Sequence, residues 1–280
     1  MSGQSFKVAL MQFTAGPELE ANMQAVADYA RQAKSAGASF LLTPENTEFM
    51  ERDDAAKLAR AQSEAGHQAL ARARSIARAS GLWLLIGSLA VRLEGENRVA
   101  NRSYLIDPTG AVVTHYDKIH LFDVDLPGRE SYRESASVAP GARAVLADLP
   151  WGRIGLSVCY DLRFPHLFRA LAKAGAQFLA VPAAFTVPTG KAHWHVLLRA
   201  RAIESQAFVV AAAQSGTHQD GRTTYGHSLV IDPWGAVLLD TGQGEGLGFA
   251  DIDLARIEWA RRQIPVQKNR REITMPVKRF

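Results

Sequence analysis

Short apolar segments alternate with longer amphipathic segments along almost the whole chain, and this alternation restricts the fold more than any other feature. Residues 6–13 (FKVALMQF) predict a first strand, and residues 18–38 carry apolar residues at helical spacing up to Gly37, which is typical of a C-terminal helix cap. The order then repeats as a strand in FLLTPE, a helix over about 54–79 and a strand in LWLLIGSL. Strands that alternate with helices in this way predict an α/β fold in which helices cover sheets.

Two nine-residue segments share one layout. LIDPTGAVV (105–113) and VIDPWGAVL (230–238) each place Asp-Pro-x-Gly between two apolar runs. Proline fixes φ and glycine accepts a positive φ, so both segments predict tight hairpins. Two matched hairpins flanked by strand-helix units indicate two similar halves whose sheets could stack. Because no Gly/Ser-rich linker separates the halves, we expect residues 1–280 to form a single domain.

The composition and the apolar runs of the chain indicate where the protein is located and whether it enters a membrane. The chain has 280 residues, of which 47% are hydrophobic and 21% charged, as in ordinary globular proteins. Its first residues lack the layout of a signal peptide, and the apolar run from Gly81 stops at Arg92, too early to span a bilayer. The single cysteine, Cys159, excludes an intrachain disulfide and a thiolate-rich metal site. We therefore expect a cytoplasmic protein that binds no membrane.

The positive charge is concentrated at the C-terminal end. Residues 261–280 carry a net charge of +6, which leaves −2 for the other 260 residues of a chain whose total is +4. A basic tail on a near-neutral body lacks the broad positive face that duplex binding needs. We expect no nucleic-acid partner, and a tail that is solvated or contacts another subunit.

The segment RIGLSVCYDLRFP (153–165) places Cys159 where a buried strand ends in a sharp turn, before a helix that we expect to begin at Pro165. A nucleophile on such a turn is exposed beside free backbone N–H groups, which can bind an oxyanion. Most free cysteines, however, are buried and inert. The residues of this segment alone leave both interpretations open.

A thiol that acts near neutral pH needs a partner, because its ordinary pKa is about 8.5. Histidine is the usual base, and His193 or His227 could supply it. Glu45 and Lys118 are two further candidates, since each follows the end of a predicted strand. Each also has an ordinary explanation, Glu45 as a loop residue and Lys118 as a solvated charge.

Three motifs together resemble one family. TPEN with Glu45, YDKIHLFDVDLPG with Lys118 and CYD with Cys159 resemble, in this order, the Glu-Lys-Cys motifs of the nitrilase or carbon–nitrogen hydrolase superfamily. The resemblance runs from the first strand to RRQIP. It implies an αββα four-layer sandwich with two similar halves and no metal or organic cofactor. It also implies a homodimer formed through helices near the nucleophile and through residues 261–280.

The resemblance also implies roles for these side chains. Glu45 would take the thiol proton so that Cys159 attacks an amide carbonyl, while Lys118 and the N–H of Tyr160 would stabilise the oxyanion. Glu45 would then protonate the departing amine and activate the water that hydrolyses the thioester. A carboxyl group in both roles needs a raised pKa, which we expect burial to supply and the nearby ammonium to limit.

A second glutamate often lies in the pocket of this family. Within LPGRESYRESASVAPG its position matches Glu134 better than Glu130. The resemblance therefore implies that Glu134 orients and polarises its neighbours, while the proton is carried by Glu45.

Several segments are most similar to the Nit branch, and residues 211–228 resemble the type that acts on deaminated glutathione. That type implies hydrolysis of the amide between a 2-oxoglutarate unit and cysteinylglycine. The neighbouring omega-amidase type, which acts on 2-oxoglutaramate, is the alternative. A non-catalytic binding protein on the same fold, with the basic tail recruiting an acidic partner, is a further alternative.

An anionic small-molecule amide should meet cations and pocket walls. Arg163, Lys191 and Arg222 are candidate carboxylate contacts, although the spacing in DLR favours a pair between Arg163 and Asp161. Phe185 and Thr186 follow the strand FLAVPAA and are candidate walls. Two departures from the family pattern, Lys191 and His195, lie near the same helix start and bear on substrate choice.

Overall fold

The computed structural model describes residues 5–126, 131–271 and 273. The strands are β1 Ser5–Gln12, β2 Phe40–Leu42, β3 Gln62–Ser63, β4 Trp83–Arg92, β5 Val99–Ile106, β6 Val112–Asp117, β7 Asp123–Asp125, β8 Ser131–Arg133, β9 Leu146–Leu149, β10 Gly152–Leu156, β11 Phe178–Ala180, β12 Phe208–Ala211, β13 Ser215–Thr217, β14 Thr223–Tyr225, β15 Leu229–Ile231, β16 Val237–Asp240 and β17 Gly246–Asp253.

The α-helices are α1 Leu19–Ser35, α2 Asp54–Arg60, α3 Gln68–Ser80, α4 Pro165–Lys173, α5 Val187–Thr189, α6 His195–Ser205, α7 Ala255–Gln263 and α8 Val266–Asn269. Short 3₁₀ turns span Glu64–Gly66, Glu134–Ala136 and Cys159–Arg163, and a π-helical turn spans Gly190–Trp194. Among the described residues no helix is both long enough and apolar enough to cross a membrane.

Two sheets repeat one topology. The first has the order β17-β1-β2-β4-β5-β6, with β3 beside β4, and the second has the order β9-β10-β11-β12-β15-β16. In each sheet three parallel strands are followed by an antiparallel hairpin and bordered on the other side by an antiparallel edge strand. The prediction of two similar halves is confirmed.

The matched hairpin turns close in the same way. Asp107 accepts the N–H groups of the residues two and four positions later, at 2.8 and 3.0 Å, and Asp232 does the same, both at 2.9 Å. Gly110 and Gly235 adopt φ of 79° and 87°, which other residues rarely accept. The repeated Asp-Pro-x-Gly motif therefore encodes a repeated turn.

Alternation along β1 shows how the layers form. Val8 and Leu10 share a buried cluster with the second sheet, whereas Ala9 and Met11 share another with the buried faces of α1 and α3. Between the sheets the Phe6 ring stacks on Trp151, with centroids 4.1 Å apart. Helices α4 and α6 pack on the second sheet through buried residues that include Phe168 and Leu198. The fold is the α/β sandwich with layers in the order αββα, as the sequence predicted.

One predicted helix was wrong. The alanine-rich segment 54–79 is two helices, because the chain becomes extended at Ala61 and β3 pairs with the end of β4. Ala61 is buried against Val99 and Val138, so tertiary packing outweighs the helical propensity of the segment. Before α6 the chain is also irregular, because α5 is followed by the π-helical turn Gly190–Trp194.

Gly87 in β4 generates a prediction about the turn after β2. A Cβ at this position would lie 2.2 Å from the Pro44 carbonyl oxygen and 2.3 Å from that of Thr43, and backbone atoms cannot move aside cheaply. We expect Gly87→Ala to lower the free energy of unfolding by about 3 kcal/mol, measured by urea denaturation. Gly66→Ala is the control, because its Cβ would approach no atom closer than 3.7 Å. Equal stability of the two variants would contradict this packing.

Candidate active site

Three of the candidate catalytic side chains follow three strand ends. Glu45 lies just after β2, Lys118 directly after β6, and Cys159 after β10. The stacked sheets bring these ends to one cavity of about 330 Å³, which Glu134 also lines. The sequence-predicted catalytic residues are therefore together, in a space large enough for a small metabolite.

Lys118 lies at the centre of this group. Its Nζ is 2.8 Å from Oε1 of Glu45, and 2.8 and 3.0 Å from Oε2 and Oε1 of Glu134. The lysine is only 2% exposed. A buried ammonium is stable only when it is paired and hydrogen-bonded, and here two carboxylates meet that need.

Backbone and amide donors fix both carboxylates. The N–H of Ala184 donates to Oε2 of Glu45 at 3.0 Å, and the N–H of Phe122 donates to Oε2 of Glu134 at 2.7 Å. Asn101 donates its Nδ2 to Oε1 of both, at 3.0 and 3.1 Å. Each carboxylate therefore has a fixed orientation toward Lys118.

Sequence reasoning missed Asn101. It lies in β5, of which every residue is buried, and its Oδ1 has no hydrogen-bond partner among the described residues. The run of three polar residues, Asn-Arg-Ser, between the apolar ends of VANRSYLI was the signal that could have identified a polar group inside this buried strand.

Cys159 occupies a strained turn. Its φ is 50°, an unfavourable value for a residue with a side chain, and its N–H donates to the Pro182 carbonyl at 2.9 Å. The thiol lies beside the Glu45 carboxylate, which acts on its pKa. The N–H of Asp161 donates to the Val158 carbonyl at 3.1 Å, whereas the N–H of Tyr160 precedes the first hydrogen bond of the 3₁₀ turn and can serve as an oxyanion donor.

Asp161 holds this turn in place. Its carboxylate accepts the N–H of Val158 at 2.9 Å, the Tyr116 hydroxyl at 2.7 Å and the N–H of His120 at 3.0 Å. The expected pair between Arg163 and Asp161 is wrong, because the 3₁₀ turn directs the aspartate inward to these three donors. Strain at the nucleophile is thus maintained by a fully buried carboxylate.

The expectation of a raised pKa for Glu45 is also wrong. Burial opposes ionisation, but the Lys118 ammonium and hydrogen bonds from Lys118, Cys159 and Asn101 hold the pKa of Glu45 below its ordinary value. The carboxylate is therefore the resting form. The sequence could show that an ammonium was near, but not that three donors converge on the same group.

The pKa values of Lys118 and Cys159 both shift in the direction that keeps these groups protonated. Burial opposes the charge on Lys118, yet the carboxylates of Glu134 and Glu45 raise its pKa well above the ordinary value. Burial and the adjacent Glu45 carboxylate raise the pKa of the Cys159 thiol, which Lys118 offsets only in part. The resting site thus contains a neutral thiol beside a carboxylate that can accept its proton.

The structure places some of the candidate substrate contacts in the lining of the cavity and others outside it. Tyr160, Phe185, Thr186 and Arg222 line the cavity. Arg163 does not: its guanidinium carbon lies 5.8 and 5.5 Å from the ring centres of Tyr160 and Phe185, outside the cavity wall that these rings form. Lys191 is exposed and is also absent from the lining.

Arg222 is the cation best placed to meet an anion. Its Nε is buried without a hydrogen-bond partner among the described residues, and the nearest acidic oxygen, Oδ2 of Asp220, is 4.0 Å away. Lys57, in the same lining, already pairs with Asp54 at 3.0 Å. A guanidinium whose ion pair is this long, and whose Nε has no hydrogen-bond partner among the described residues, is suited to bind a substrate carboxylate.

The histidines proposed as alternative bases lie elsewhere. Nδ1 of His193 is 3.3 Å from a guanidinium nitrogen of Arg163, and Nδ1 of His227 is 2.9 Å from Asp240. No histidine of the described residues lines the cavity. Of the remaining sequence candidates, Glu130 falls outside the described residues, as do residue 272 and residues 274–280 of the basic segment.

Glu48 is a buried acid that the sequence did not indicate. It lines the cavity, its Oε1 accepts the N–H of Ala90 at 2.5 Å, and its Oε2 is 3.6 Å from Nε2 of His67. Burial raises the pKa of Glu48 to about 8 and lowers the pKa of His67. Near neutral pH both groups are therefore uncharged.

Comparisons with known proteins agree with this geometry. The sequence pattern of the family described as carbon-nitrogen hydrolase matches residues 7–262. A human protein named deaminated glutathione amidase is 44% identical over 268 residues, which cover 94% of this chain and 82% of that protein.

Two solved structures are also similar. Nit3 of Saccharomyces cerevisiae, described as a member of branch 10 of the nitrilase superfamily, superposes with a TM-score of 0.87 at 28% identity, covering 96% of this chain and 97% of that one. An amidase from Nesterenkonia sp. AN1, seen after acrylamide added to its active-site cysteine, superposes with a TM-score of 0.79 at 30% identity, covering 94% and 99%.

The raised pKa of Glu48 predicts a pH dependence of stability. Between pH 6.5 and 8 the unfolded chain has already lost the Glu48 proton, so the folded state binds more protons and its stability falls as pH rises. Relative to Glu48→Gln, we expect the wild-type free energy of unfolding to fall by about 1–2 kcal/mol across this window. Urea denaturation at several pH values measures it. Glu94→Gln, at an exposed position, is the control and should track the wild type; a constant difference between wild type and Glu48→Gln would contradict the account.

Proposed function

The chain belongs to the carbon–nitrogen hydrolase family and is a hydrolase of carbon–nitrogen bonds, and from this premise we propose that its substrate is deaminated glutathione. The products would be 2-oxoglutarate and cysteinylglycine. The name and high identity of the human relative support this substrate class. The omega-amidase reaction on 2-oxoglutaramate is the second candidate, because it breaks an amide on the same acyl group.

The observation that carries the proposal is the Glu45–Lys118–Cys159 group in the lining of one cavity. Lys118 and Glu45 form a 2.8 Å ion pair, and Glu45 lies close enough to the Cys159 thiol to raise its pKa. A non-catalytic binding protein would gain nothing from a strained cysteine held beside a base. The intact group therefore argues against that alternative.

In the first half of the proposed reaction, Glu45 takes the thiol proton as the sulfur of Cys159 attacks the amide carbonyl carbon. The new oxyanion is stabilised by the Lys118 ammonium and the N–H of Tyr160. Collapse of this intermediate breaks the C–N bond, and Glu45 returns the proton to the departing amine. An acyl thioester on Cys159 remains.

In the second half, Glu45 takes a proton from a water molecule that attacks the thioester carbonyl. The same oxyanion donors act again, the C–S bond breaks, and the thiolate recovers the proton as the carboxylic acid product leaves. One carboxylate thus serves both halves, and its low resting pKa means that it begins each half ready to accept a proton.

Glu134 is proposed to position Lys118. Both of its oxygens contact Nζ, at 2.8 and 3.0 Å, and the N–H of Phe122 holds it from the other side. If Glu45 were its only partner, the Lys118 ammonium could move with that carboxyl group each time the group gains or loses a proton. The second carboxylate keeps the ammonium directed toward the oxyanion position.

The substrate is proposed to lie between an acyl-binding end at Cys159 and a cation at the cavity wall. Arg222 would bind a carboxylate, and Tyr160, Phe185 and Thr186 would form walls around the scissile amide. Arg163 has no place in this arrangement, because it contacts the rings of Tyr160 and Phe185 but does not line the cavity. Lys191 and His195 lie outside the cavity as well.

We also propose a homodimer. Val196 and Ile203 on α6 are 67% and 47% exposed. They form an apolar stripe on the surface of a helix that packs on the second sheet, the sheet from which Cys159 comes. Residues 261–280 are the second proposed contact, on the basis of the family resemblance. Sedimentation as a monomer at micromolar concentration would contradict the dimer. The cytoplasmic location stays a prediction from the sequence.

The catalytic roles predict the effect of two substitutions. Cys159→Ala removes the nucleophile and Glu45→Gln removes the base, so each should lower kcat/KM for amide hydrolysis by about 10³-fold or more. Glu51→Gln changes a lining carboxylate that does not contact Lys118 and should stay within about tenfold of the wild type. If Glu45→Gln kept most of the rate, a histidine base would be favoured; undiminished turnover by Cys159→Ala would end the proposal.

Arg222 predicts a separation of KM from kcat. Arg222→Gln should raise KM for deaminated glutathione by about tenfold or more with a small change in kcat, because the contact is present in both ground and transition states. Arg163→Gln, outside the cavity, should leave KM within about threefold. Steady-state kinetics with both substrates side by side completes the test. A higher kcat/KM for 2-oxoglutaramate than for deaminated glutathione would contradict the proposed substrate.

A further inference from the structure

Three side chains outside the catalytic cavity converge on the protein surface and form the His-Asp cluster: His195, His227 and Asp240. Nε2 of His195 is 2.9 Å from Oδ2 of Asp240, and Nδ1 of His227 is 2.9 and 3.2 Å from its Oδ1 and Oδ2. One potential ligand atom from each residue lies within 4.8 Å of the others. All three side chains are partly exposed, at 32%, 20% and 34%.

The cluster joins three separate parts of the second half. His195 begins α6, His227 precedes β15, and Asp240 ends β16. His227 adopts a φ of 55°, which is unfavourable for a residue other than glycine. This conformation is maintained by its backbone, since its carbonyl accepts the indole N–H of Trp194 at 2.8 Å and its N–H donates to the Gly242 carbonyl at 2.7 Å.

The fold also fixes the carboxylate and one ring. Oδ1 of Asp240 accepts the N–H of Gly242 at 2.8 Å, and the His227 imidazole stacks on Tyr225 with centroids 4.4 Å apart. Two imidazoles and a carboxylate are thus directed at one point by the backbone around them. Two imidazole nitrogens and a carboxylate oxygen close to one point form a donor set of the kind that binds a zinc-type ion.

We propose that the His-Asp cluster binds a divalent ion of the zinc type, through Nε2 of His195, Nδ1 of His227 and one oxygen of Asp240. Ligand atoms around a four-coordinate zinc lie about 3.3 Å apart, so small rotations of these side chains suffice to admit the ion. Both imidazoles must bind through a lone pair, with the proton of each neutral ring on its other nitrogen. Water completes the coordination at the exposed side.

The bound ion would clamp one wall of the catalytic cavity. Trp194 packs on Phe185 with centroids 4.7 Å apart, and Phe185 lines that cavity. Gly190 lies so close to Tyr225 that a Cβ would be 2.2 Å from the ring. An ion held by the His-Asp cluster would therefore tie the start of α6, and with it this wall, to the hairpin of β15 and β16.

Zinc binding to the chelator-treated, tag-free protein tests the proposal, with isothermal titration calorimetry as the measurement. We expect one Zn²⁺ per chain at micromolar affinity or tighter, weakened about tenfold or more in His195→Gln and in His227→Asn. Asparagine is chosen at 227 because it tolerates positive φ. His115→Gln, an exposed histidine outside the cluster, should bind as the wild type does, and Cys159→Ala should do so as well, which separates this site from the thiol.

Cobalt supplies a second readout. Co²⁺ in the same site should give the visible absorption of a four-coordinate ion, and this absorption should be lost in both histidine variants. Asp240→Asn serves if either histidine variant fails to fold, as judged by circular dichroism. The proposal is overturned if the wild type binds no stoichiometric Zn²⁺, if binding survives in the cluster variants, or if it disappears in Cys159→Ala. None of these outcomes bears on amide hydrolysis.

Discussion

The buried ammonium of Lys118 between two carboxylates is the interaction on which the site depends. At 2% exposure the lysine cannot be solvated, so Glu45 and Glu134 must remain within hydrogen-bond distance for it to stay charged. Because its charge is already committed to these carboxylates, Lys118 does not ionise the nearby thiol. This explains why the thiol keeps its proton while Glu45 stays ionised. The proposed division of labour between base and oxyanion donor follows from that balance.

The topology of the two sheets brings these charged groups and the thiol to one place. Parallel strands in both sheets run in a direction that places their carboxyl ends, and the residues after them, at the same cavity. Glu45 and Lys118 come from the first sheet and Cys159 from the second, so the packing of the two sheets determines the distance between the proposed base and the proposed nucleophile. Close contact at Gly87 and the inward-facing Asp161 then fix the two turns locally.

Much of this could be predicted from the sequence, and the failures have physical causes. Strand ends are visible as apolar runs stopped by Pro44 or by a polar turn, so Glu45, Lys118 and Cys159 could be identified, and the repeated Asp-Pro-x-Gly turns revealed the two halves. Asn101 could not be placed, because its role depends on which strand lies beside Glu45. The inward turn of Asp161 and the lowered pKa of Glu45 depend on donors distant in sequence, such as Tyr116 and Ala184. The helix predicted over 54–79 is likewise interrupted by β3, because β3 pairs with the edge of β4. That edge exists only in the folded chain.

The pH dependence of Cys159 alkylation by iodoacetamide tests the central claim most directly, because the chain has one cysteine and intact-protein mass spectrometry reports its modification without ambiguity. If the thiol is neutral at rest and its pKa is raised, the rate should keep rising beyond pH 9 without a plateau. A plateau below pH 7 would show a thiolate already paired with Lys118, and would contradict the account in which Glu45 must take the proton.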